Sequence, residues 1–275
     1  MSSHIHIQRL SAVVTKGVEE LMKKDDFTHF GFSEVPIKEK AAKVAGVFHS
    51  VAQRYDIMND VMSLGTHRVM KQMTANATRA RPGHQILDLA GGTGDMAALL
   101  SEYVGGTGHV CICDINGSML QEGRDKLLNR GIVENISFVQ ADGEQLPFKD
   151  NHFNAITVAF GLRNFTDKEK GLSSMFDALR PGGKLVVLEF SKPQNNMLKT
   201  AYKGFSTLWP KFGKAVTGDE KSYQYLVESI EMHPDQDTLS DMLEDAGFIR
   251  VRYQNLVGGI AAIHEGMKPR NTTST

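Results

Sequence analysis

The stretch "ILDLAGGTGD", Ile86 to Asp95, decides the architecture of this 275-residue chain. A short, mostly apolar run, "QILDLA" from Gln85 to Ala90, meets Gly91, Gly92 and Gly94, and "MAALLSEYV" follows with a helical pattern. A buried strand that feeds a glycine turn and then a helix is the opening unit of an open α/β sheet, where ligands bind beyond the carboxyl ends of the strands. Glycine at that turn permits positive φ and removes Cβ atoms, so a ligand can lie against bare main chain.

Outward from the loop the alternation continues. "HVCICD" (His109 to Asp114) reads as a second strand, Ser118 to Arg130 as a helix ended by Gly131, "ISFVQA" as a third strand and "FNAITVAF" (Phe153 to Phe160) as a fourth. Thr166-Asp167-Lys168-Glu169 fits a capping box with Thr166 as the cap, opening a helix whose core stripe is Leu172, Met175, Phe176 and Leu179. "RPGGKLVVLEF" is a turn feeding a fifth strand. Leu239, Met242, Leu243 and Ala246 mark a last helix stopped by Gly247, and "FIRVRYQNL" and "IAAIHEGM" flank Val257-Gly258-Gly259, the glycine pair of a tight hairpin. The expectation is a doubly wound, mostly parallel α/β sheet that ends in an antiparallel hairpin. Before the sheet, Val44, Val47, Phe48, Val51 and Tyr55 form one helical stripe, followed by the methionine-rich "DIMNDVMSLGTHRVMKQM". Residues 1–34 read as a polar extension and 35–275 as a single domain, with helical lid segments at about 39–80 and 194–235.

Bulk properties narrow the class. The formal net charge of −1 gives no support to nucleic-acid binding by long-range attraction. Cys111 and Cys113 are the only cysteines; no second pair completes a zinc site, so they read as buried strand residues and no metal is expected. No apolar run approaches the roughly 20 residues of a membrane span, and the N-terminal stretch lacks the continuous apolar core of a secretion signal. A cytoplasmic protein is the expectation.

The glycine loop admits two cofactors. Gly92, Gly94 and Ala97 match the dinucleotide spacing G-x-G-x-x-G in its tolerant form. Asp88 within the strand and Asp95 after the glycines oppose a pyrophosphate and suit a ligand carrying positive sulfonium and ammonium groups. Asp114 closes the second strand about 20 positions beyond the glycines, where a carboxylate accepts ribose hydroxyls in either case. In "QADGEQLPF", Asp142 and Gly143 stand where an adenine would lie, although Asp142 also suits a turn cap.

Together the acidic glycine loop, the ribose acid, the A-D turn and the hairpin resemble the class I S-adenosylmethionine-dependent methyltransferases, whose fold is a Rossmann-like seven-stranded sheet. The segments "VFHSVAQRYDIMNDVMSLGTHR", "LDLAGGTGD", "AFGLRNFTD", "LEFSKP", "SYQYLVESIEMHPDQDTL" and "NLVGGIAAIHEGMK" occur in that order. This is similar to the ubiquinone/menaquinone biosynthesis C-methyltransferases of the UbiE type, over about Phe30 to Lys268. The resemblance implies methylation of a ring carbon on a polyprenylated quinol: demethylmenaquinol to menaquinol, and 2-polyprenyl-6-methoxy-1,4-benzoquinol to its 5-methyl derivative. It implies S-adenosyl-L-methionine as cofactor, held at Thr93, Asp114, Asp142, Gly143 and Ala159 beside Gly91, Gly92 and Gly94. Ala159 departs from the expected serine, and Asn154 stands where aspartate is common.

Methyl transfer to carbon is an in-line displacement, so the acceptor must be the electron-rich reduced quinol, held close and aligned. A group must take up a proton, and another must stabilise charge developing on the quinol oxygen. Arg163 and Asn164, just after the fourth strand, are candidates, with Arg163 as a charge stabiliser because it is too basic to be a simple base. Tyr55, Asp56, Asn59, His67 and Glu189 are others. The plainer readings stand beside these: Arg163 in a salt bridge, Tyr55 as the end of a helix stripe, His67 as an ordinary capped residue. The insert Met197 to Val216 interleaves Lys199, Lys203, Lys211 and Lys214 with Phe205, Trp209 and Phe212, which suits peripheral contact with an inner-membrane surface, or core aromatics with solvated lysines. A quinone-biosynthesis complex and a homo-oligomer are compatible associations. The rival readings are a NAD-dependent oxidoreductase, a non-catalytic methyltransferase-like subunit of such a complex, and a methyltransferase acting on another aromatic lipid.

Overall fold

A computed structural model describes residues 27–51, 59–60, 63, 65–207, 209–211, 214 and 220–270 of the chain. The apolar runs form strands β3 (Gln85–Leu89), β4 (His109–Asp114), β5 (Ile136–Gln140), β6 (Phe153–Ala159) and β7 (Leu179–Phe190). They pair in parallel, because each connection carries the chain back over the sheet. Helices α3 (Asp95–Val104), α4 (Gly117–Asn129) and α5 (Lys168–Ala178) lie in these connections. After α6 (Asn196–Ser206), α7 (Glu220–Met232) and α8 (Gln236–Asp245), strands β8 (Ile249–Leu256) and β9 (Ala261–Met267) complete a seven-stranded sheet of order β5-β4-β3-β6-β7-β9-β8. The hairpin turns at Gly258 and Gly259, both at positive φ, and places β9 antiparallel against β7. Strand order reverses between β3 and β6, which puts the ligand crevice at the ends of those two strands.

The core fills both faces. Cys111 and Cys113 are buried with Leu87, Leu89, Leu172 and Met175 on one face, as the alternation on β4 requires. On the other face, Ile86, Val110 and Ile112 meet Ala97 and Leu100 of α3 and Ala75 of α2 (His67–Thr78). Truncating one of these large side chains costs about 2–5 kcal/mol.

Three local readings are revised. β7 begins at Leu179, and the "RPGG" turn lies within it as a bulge, where pairing jumps from Phe153↔Leu179 to Ala155↔Lys184 around Gly182 at φ 78°. The cap of α5 is Asp167, accepting from Lys170 N at 2.9 Å, because the Thr166 and Asp167 N–H groups both donate to Glu144 and the helix starts one residue later. Residues 27–34, read as part of a polar extension, belong to a hairpin of β1 (Phe27–Phe30) and β2 (Ser33–Pro36) that leads into α1 (Ile37–Val51). The rest of that extension, residues 1–26, lies outside the described residues. Among the described residues no helix is long and apolar enough to cross a membrane.

Candidate functional site

The chain leaves β3 and β6 in the same strained way. Ala90 and Phe160, each one residue past its strand, hold φ of 53° and 58° without being glycine. Each such residue costs about 1–3 kcal/mol and persists only where its surroundings over-determine it. A Cβ at Gly161 would collide with that of Ala90, so the two strand-end loops touch. A cleft of about 810 Å³, its open mouth included, lies over this contact.

One wall of the cleft comes from the glycine loop and the ends of β4 and β5. Asp114 accepts from Gly92 N at 3.0 Å through Oδ2 and from Asn116 N at 2.8 Å through Oδ1. Burial pushes its carboxyl up to about 6, against these N–H bonds, which favour the charged form. Asn116 caps α4 with its side-chain oxygen and donates its amide to Ala45 O of α1, which ties the wall to the lid helix. Asp142 and Gly143 also line the cleft. Asp142 does cap its turn, accepting from Glu144 N at 2.9 Å, and its second oxygen is not part of that bond. A Cβ at Gly143 would sit 2.5 Å from the Phe165 ring, so only glycine fits. Val44 and Phe48 of the α1 stripe line the same cleft, so this apolar face borders a site as well as a core.

Across the loop, Gly91, Thr93, Ala159, Asp88 and Lys71 border a smaller cavity of about 300 Å³, while Ala90 and Gly92 border both. Gly94, at φ 79°, borders neither and packs against Leu127. The loop is less acidic than its sequence suggests. Burial raises Asp95, but Lys71 at 2.8 Å and Lys126 at 2.7 Å outweigh it and hold the carboxyl below the usual range. Burial pushes Asp88 up to about 7, although Thr157 donates to its Oδ1 at 2.9 Å. Its Oδ2 is buried without a partner, 2.8 Å from where a Cβ at Gly91 would lie.

The opposite wall carries the candidates for chemistry. Asn164 lines the cleft, and its Oδ1 accepts from the Tyr225 hydroxyl of α7 at 3.0 Å. Phe30 of the N-terminal hairpin stacks on Tyr225, ring centroids 4.3 Å apart. Arg163 has the plainer role as well: it is buried in an ion pair with Glu189 at 2.8 Å and donates to Phe160 O, while Glu189 also accepts from the N–H groups of Arg163 and Phe190. Arg163 borders a separate cavity behind Asn164. His67, at the start of α2, is buried beside Ser63 at 3.0 Å and Asp60 at 3.6 Å; burial and then Lys71 lower its pKa, and it borders neither the cleft nor the small cavity. The Asn59 carbonyl accepts from Ser63 in the same turn. Tyr55 and Asp56 lie outside the described residues. Trp209 is fully buried against Phe190, Tyr202 and Phe205, a core aromatic, whereas Lys199, Lys203, Lys211 and Lys214 are exposed and Phe212 lies outside the described residues.

Tyr225, Phe30, Lys71 and Phe165 are additions from the structure. Lys71 and Asp95 are 24 residues apart and Tyr225 and Asn164 are 61 apart, with no local pattern to link them. The Asn116 cap alone had a signal, a strand-ending acid followed by asparagine before a helix.

The sequence profile of the ubiE/COQ5 methyltransferase family matches residues 36–268. The ubiquinone/menaquinone biosynthesis C-methyltransferase of Pseudomonas aeruginosa (strain LESB58) is 57% identical over 88% of this chain and 95% of its own length. Its counterpart in Shewanella halifaxensis is 57% identical over 88% and 96%. Among solved structures, a SAM-dependent methyltransferase from Aquifex aeolicus is similar at a TM-score of 0.55 and 18% identity, covering 76% of this chain and 97% of that one. Phosphoethanolamine N-methyltransferase 2 of Haemonchus contortus, solved with S-adenosyl-L-methionine, is similar at 0.53 and 14%, covering 69% and 50%. At these identities the solved structures establish the fold.

Proposed function

The chain belongs to the ubiE/COQ5 methyltransferase family, and from that premise we propose that it is a C-methyltransferase of quinone biosynthesis, converting demethylmenaquinol to menaquinol and 2-polyprenyl-6-methoxy-1,4-benzoquinol to its 5-methyl derivative. The observation that carries the reading is the cleft itself. The Asp114 carboxyl and the glycine-loop main chain form one wall, and Asn164 stands on the other.

The residues present fit S-adenosyl-L-methionine. Asp114 offers carboxylate oxygens to vicinal hydroxyls, Asp142 has an oxygen beyond its turn bond for an amino group, and Gly143 lets the Phe165 ring pack against the cleft wall. Thr93, Ala159 and the unpartnered Asp88 Oδ2 border the smaller cavity, where a charged amino-acid end fits. When bound, the cofactor supplies an electrophilic methyl group.

The chain's own contribution is to orient the acceptor. Because Tyr225 occupies the Asn164 oxygen, the Asn164 amide hydrogens are left to donate to a quinol oxygen. Arg163, fixed by Glu189, sets a positive charge behind that amide, which favours the electron-rich, deprotonating quinol. Water exclusion falls to Val44 and Phe48. The polyprenyl tail places the reaction at a membrane surface, and the exposed lysines 199, 203, 211 and 214 suit a cytoplasmic enzyme docking on anionic lipid.

The test is incubation of the full-length protein with methyl-labelled S-adenosylmethionine and each chemically reduced, demethylated quinol, followed by lipid extraction. Label on a ring carbon is the expected result. No label, with cofactor binding measured separately and intact, would overturn turnover by the isolated protein.

A further inference from the structure

The cavity behind Asn164, about 550 Å³ with its mouth, has an unusual charge balance. Lys40 of α1, Arg163 and Lys168 of α5 border it together with His29, Thr28 and Tyr225, and none of its lining residues is aspartate or glutamate. Lys40 is buried, and among the described residues its ammonium donates only to the Phe165 carbonyl, at 2.8 Å. Lys168 has no hydrogen bond or salt bridge among the described residues. Burial lowers Lys40 to about 8, and the neighbouring charge of Lys168 adds to that; burial lowers Lys168 as well. Two ammonium groups that share a poorly solvated space repel, and an anion between them reverses the sign of that interaction.

The nearby carboxylates Glu144, Glu189 and Asp167 temper the charge of the two lysines, but their hydrogen bonds go elsewhere. Glu144 accepts from the Thr166 and Asp167 N–H groups. Glu189 takes Arg163 and two backbone N–H groups. Asp167 caps α5, and Glu228 accepts from Phe32 N and Gln224. Arg163 borders the cavity with a side chain 2% exposed, and its Nε is buried without a hydrogen-bond partner. Lysine ammonium groups, a guanidinium and threonine hydroxyls are the donor set that recognises charged oxygen.

We propose that this cavity is an oxyanion site, held chiefly by Lys40 and Lys168 with Arg163 behind them, for a phosphate or a phenolate. The phenolate source, the acceptor's own ring oxygen, rests on the methyl-transfer reading; the free-phosphate source does not.

The experiment titrates full-length protein with inorganic phosphate and, separately, with 4-nitrophenol, whose coloured phenolate reports its own ionisation. Saturable binding of at least one probe is expected. For the phenol, the phenolate fraction rises at constant pH as protein is added. Lys168→Gln weakens the bound probe about tenfold or more with an unchanged melting temperature, since one charged hydrogen bond is worth on the order of 1.5–3 kcal/mol. Lys40→Gln, on α1, provides a second variant. Phosphate that binds and displaces the phenolate identifies a free oxyanion; phenolate binding that phosphate leaves untouched identifies the ring oxygen. No saturable binding of either probe, or binding indifferent to both variants, would overturn the site. Methyl transfer measured on the same wild-type sample reports the enzymatic reading separately.

Discussion

Asp114 and Asn164 face one cleft, yet Asp114 takes its bonds from backbone N–H groups 22 residues back and two residues on, and Asn164 from a side chain 61 residues away. The cofactor-side wall consists of strand ends and the loops that leave them, so its donors are main chain and its geometry follows once β3 and β4 pair. The acceptor-side wall is assembled from the loop after β6, the end of β7, α7 and the N-terminal hairpin, and its order depends on buried side-chain partners. Substitutions should therefore act differently on the two walls: loss of ligand affinity on the first, loss of stability or turnover on the second.

The sharpest attempt to break this contrast is the Arg163–Glu189 pair. Removing one partner leaves an uncompensated buried charge, so Arg163→Met or Glu189→Gln alone should cost about 3–5 kcal/mol in urea unfolding. The double variant Arg163→Met/Glu189→Gln should recover part of that cost, because it leaves no unpaired buried charge and the glutamine oxygen can still accept a backbone N–H. If the recovered protein also transfers methyl groups at the normal rate, Arg163 is structural only, and the acceptor wall loses its charge role. The expected outcome is a folded double variant that binds the cofactor and has lost turnover.

Asp114→Ala gives the converse. It should cost about 100-fold in affinity for S-adenosylhomocysteine, the loss of charged hydrogen bonds worth about 1.5–3 kcal/mol, with much less effect on stability. The same carboxyl gives a pH signature. With its pKa pushed up to about 6, it protonates in the free protein as pH falls through that value, so affinity should drop about tenfold per unit below it. Asp114→Asn should flatten the profile. Titration calorimetry across pH measures both, and a slope unchanged in the variant would remove Asp114 from the ribose position.

The same contrast explains what could be read in advance. Strands β3 to β7, the hairpin, Asp114 and Gly143 were legible because each is signalled by alternation, a glycine or a strand-ending acid within a few residues. The pairing of Lys71 with Asp95 was not, and it reversed the inference that the loop is strongly acidic: two lysines, one from α2 and one from α4, neutralise the residue that seemed to repel phosphate. The cap at Asp167 differs by one residue because Glu144, outside the helix, takes the Thr166 N–H that a capping box assigns to Glu169. Local pattern does not record partners supplied by tertiary contact.

Tyr225→Phe sharpens the comparison from the acceptor side. It removes one hydroxyl and keeps the ring stacked on Phe30. A rotated Asn164 amide would present its oxygen to the quinol, so kcat should fall about tenfold, equivalent to about 1.4 kcal/mol of barrier. Cofactor affinity should stay unchanged. A fall in cofactor affinity instead of kcat would mean that α7 supports the glycine-loop wall, contrary to a two-wall division.

Asp142→Ala divides two roles within one side chain. Its turn bond to Glu144 N is worth about 1 kcal/mol of stability, as for other short polar caps. If its other oxygen also accepts from an adenine amino group, affinity for S-adenosylhomocysteine should fall about tenfold, within the range of one charged hydrogen bond. The deaminated analogue, which lacks that amino group, should bind wild type and variant alike. Equal losses for both ligands would mean that the variant acts through the turn alone, because a displaced loop cannot tell the two bases apart. A selective loss would assign the base contact to Asp142 itself, and the cofactor wall would then include one side chain whose local cap and ligand role coincide.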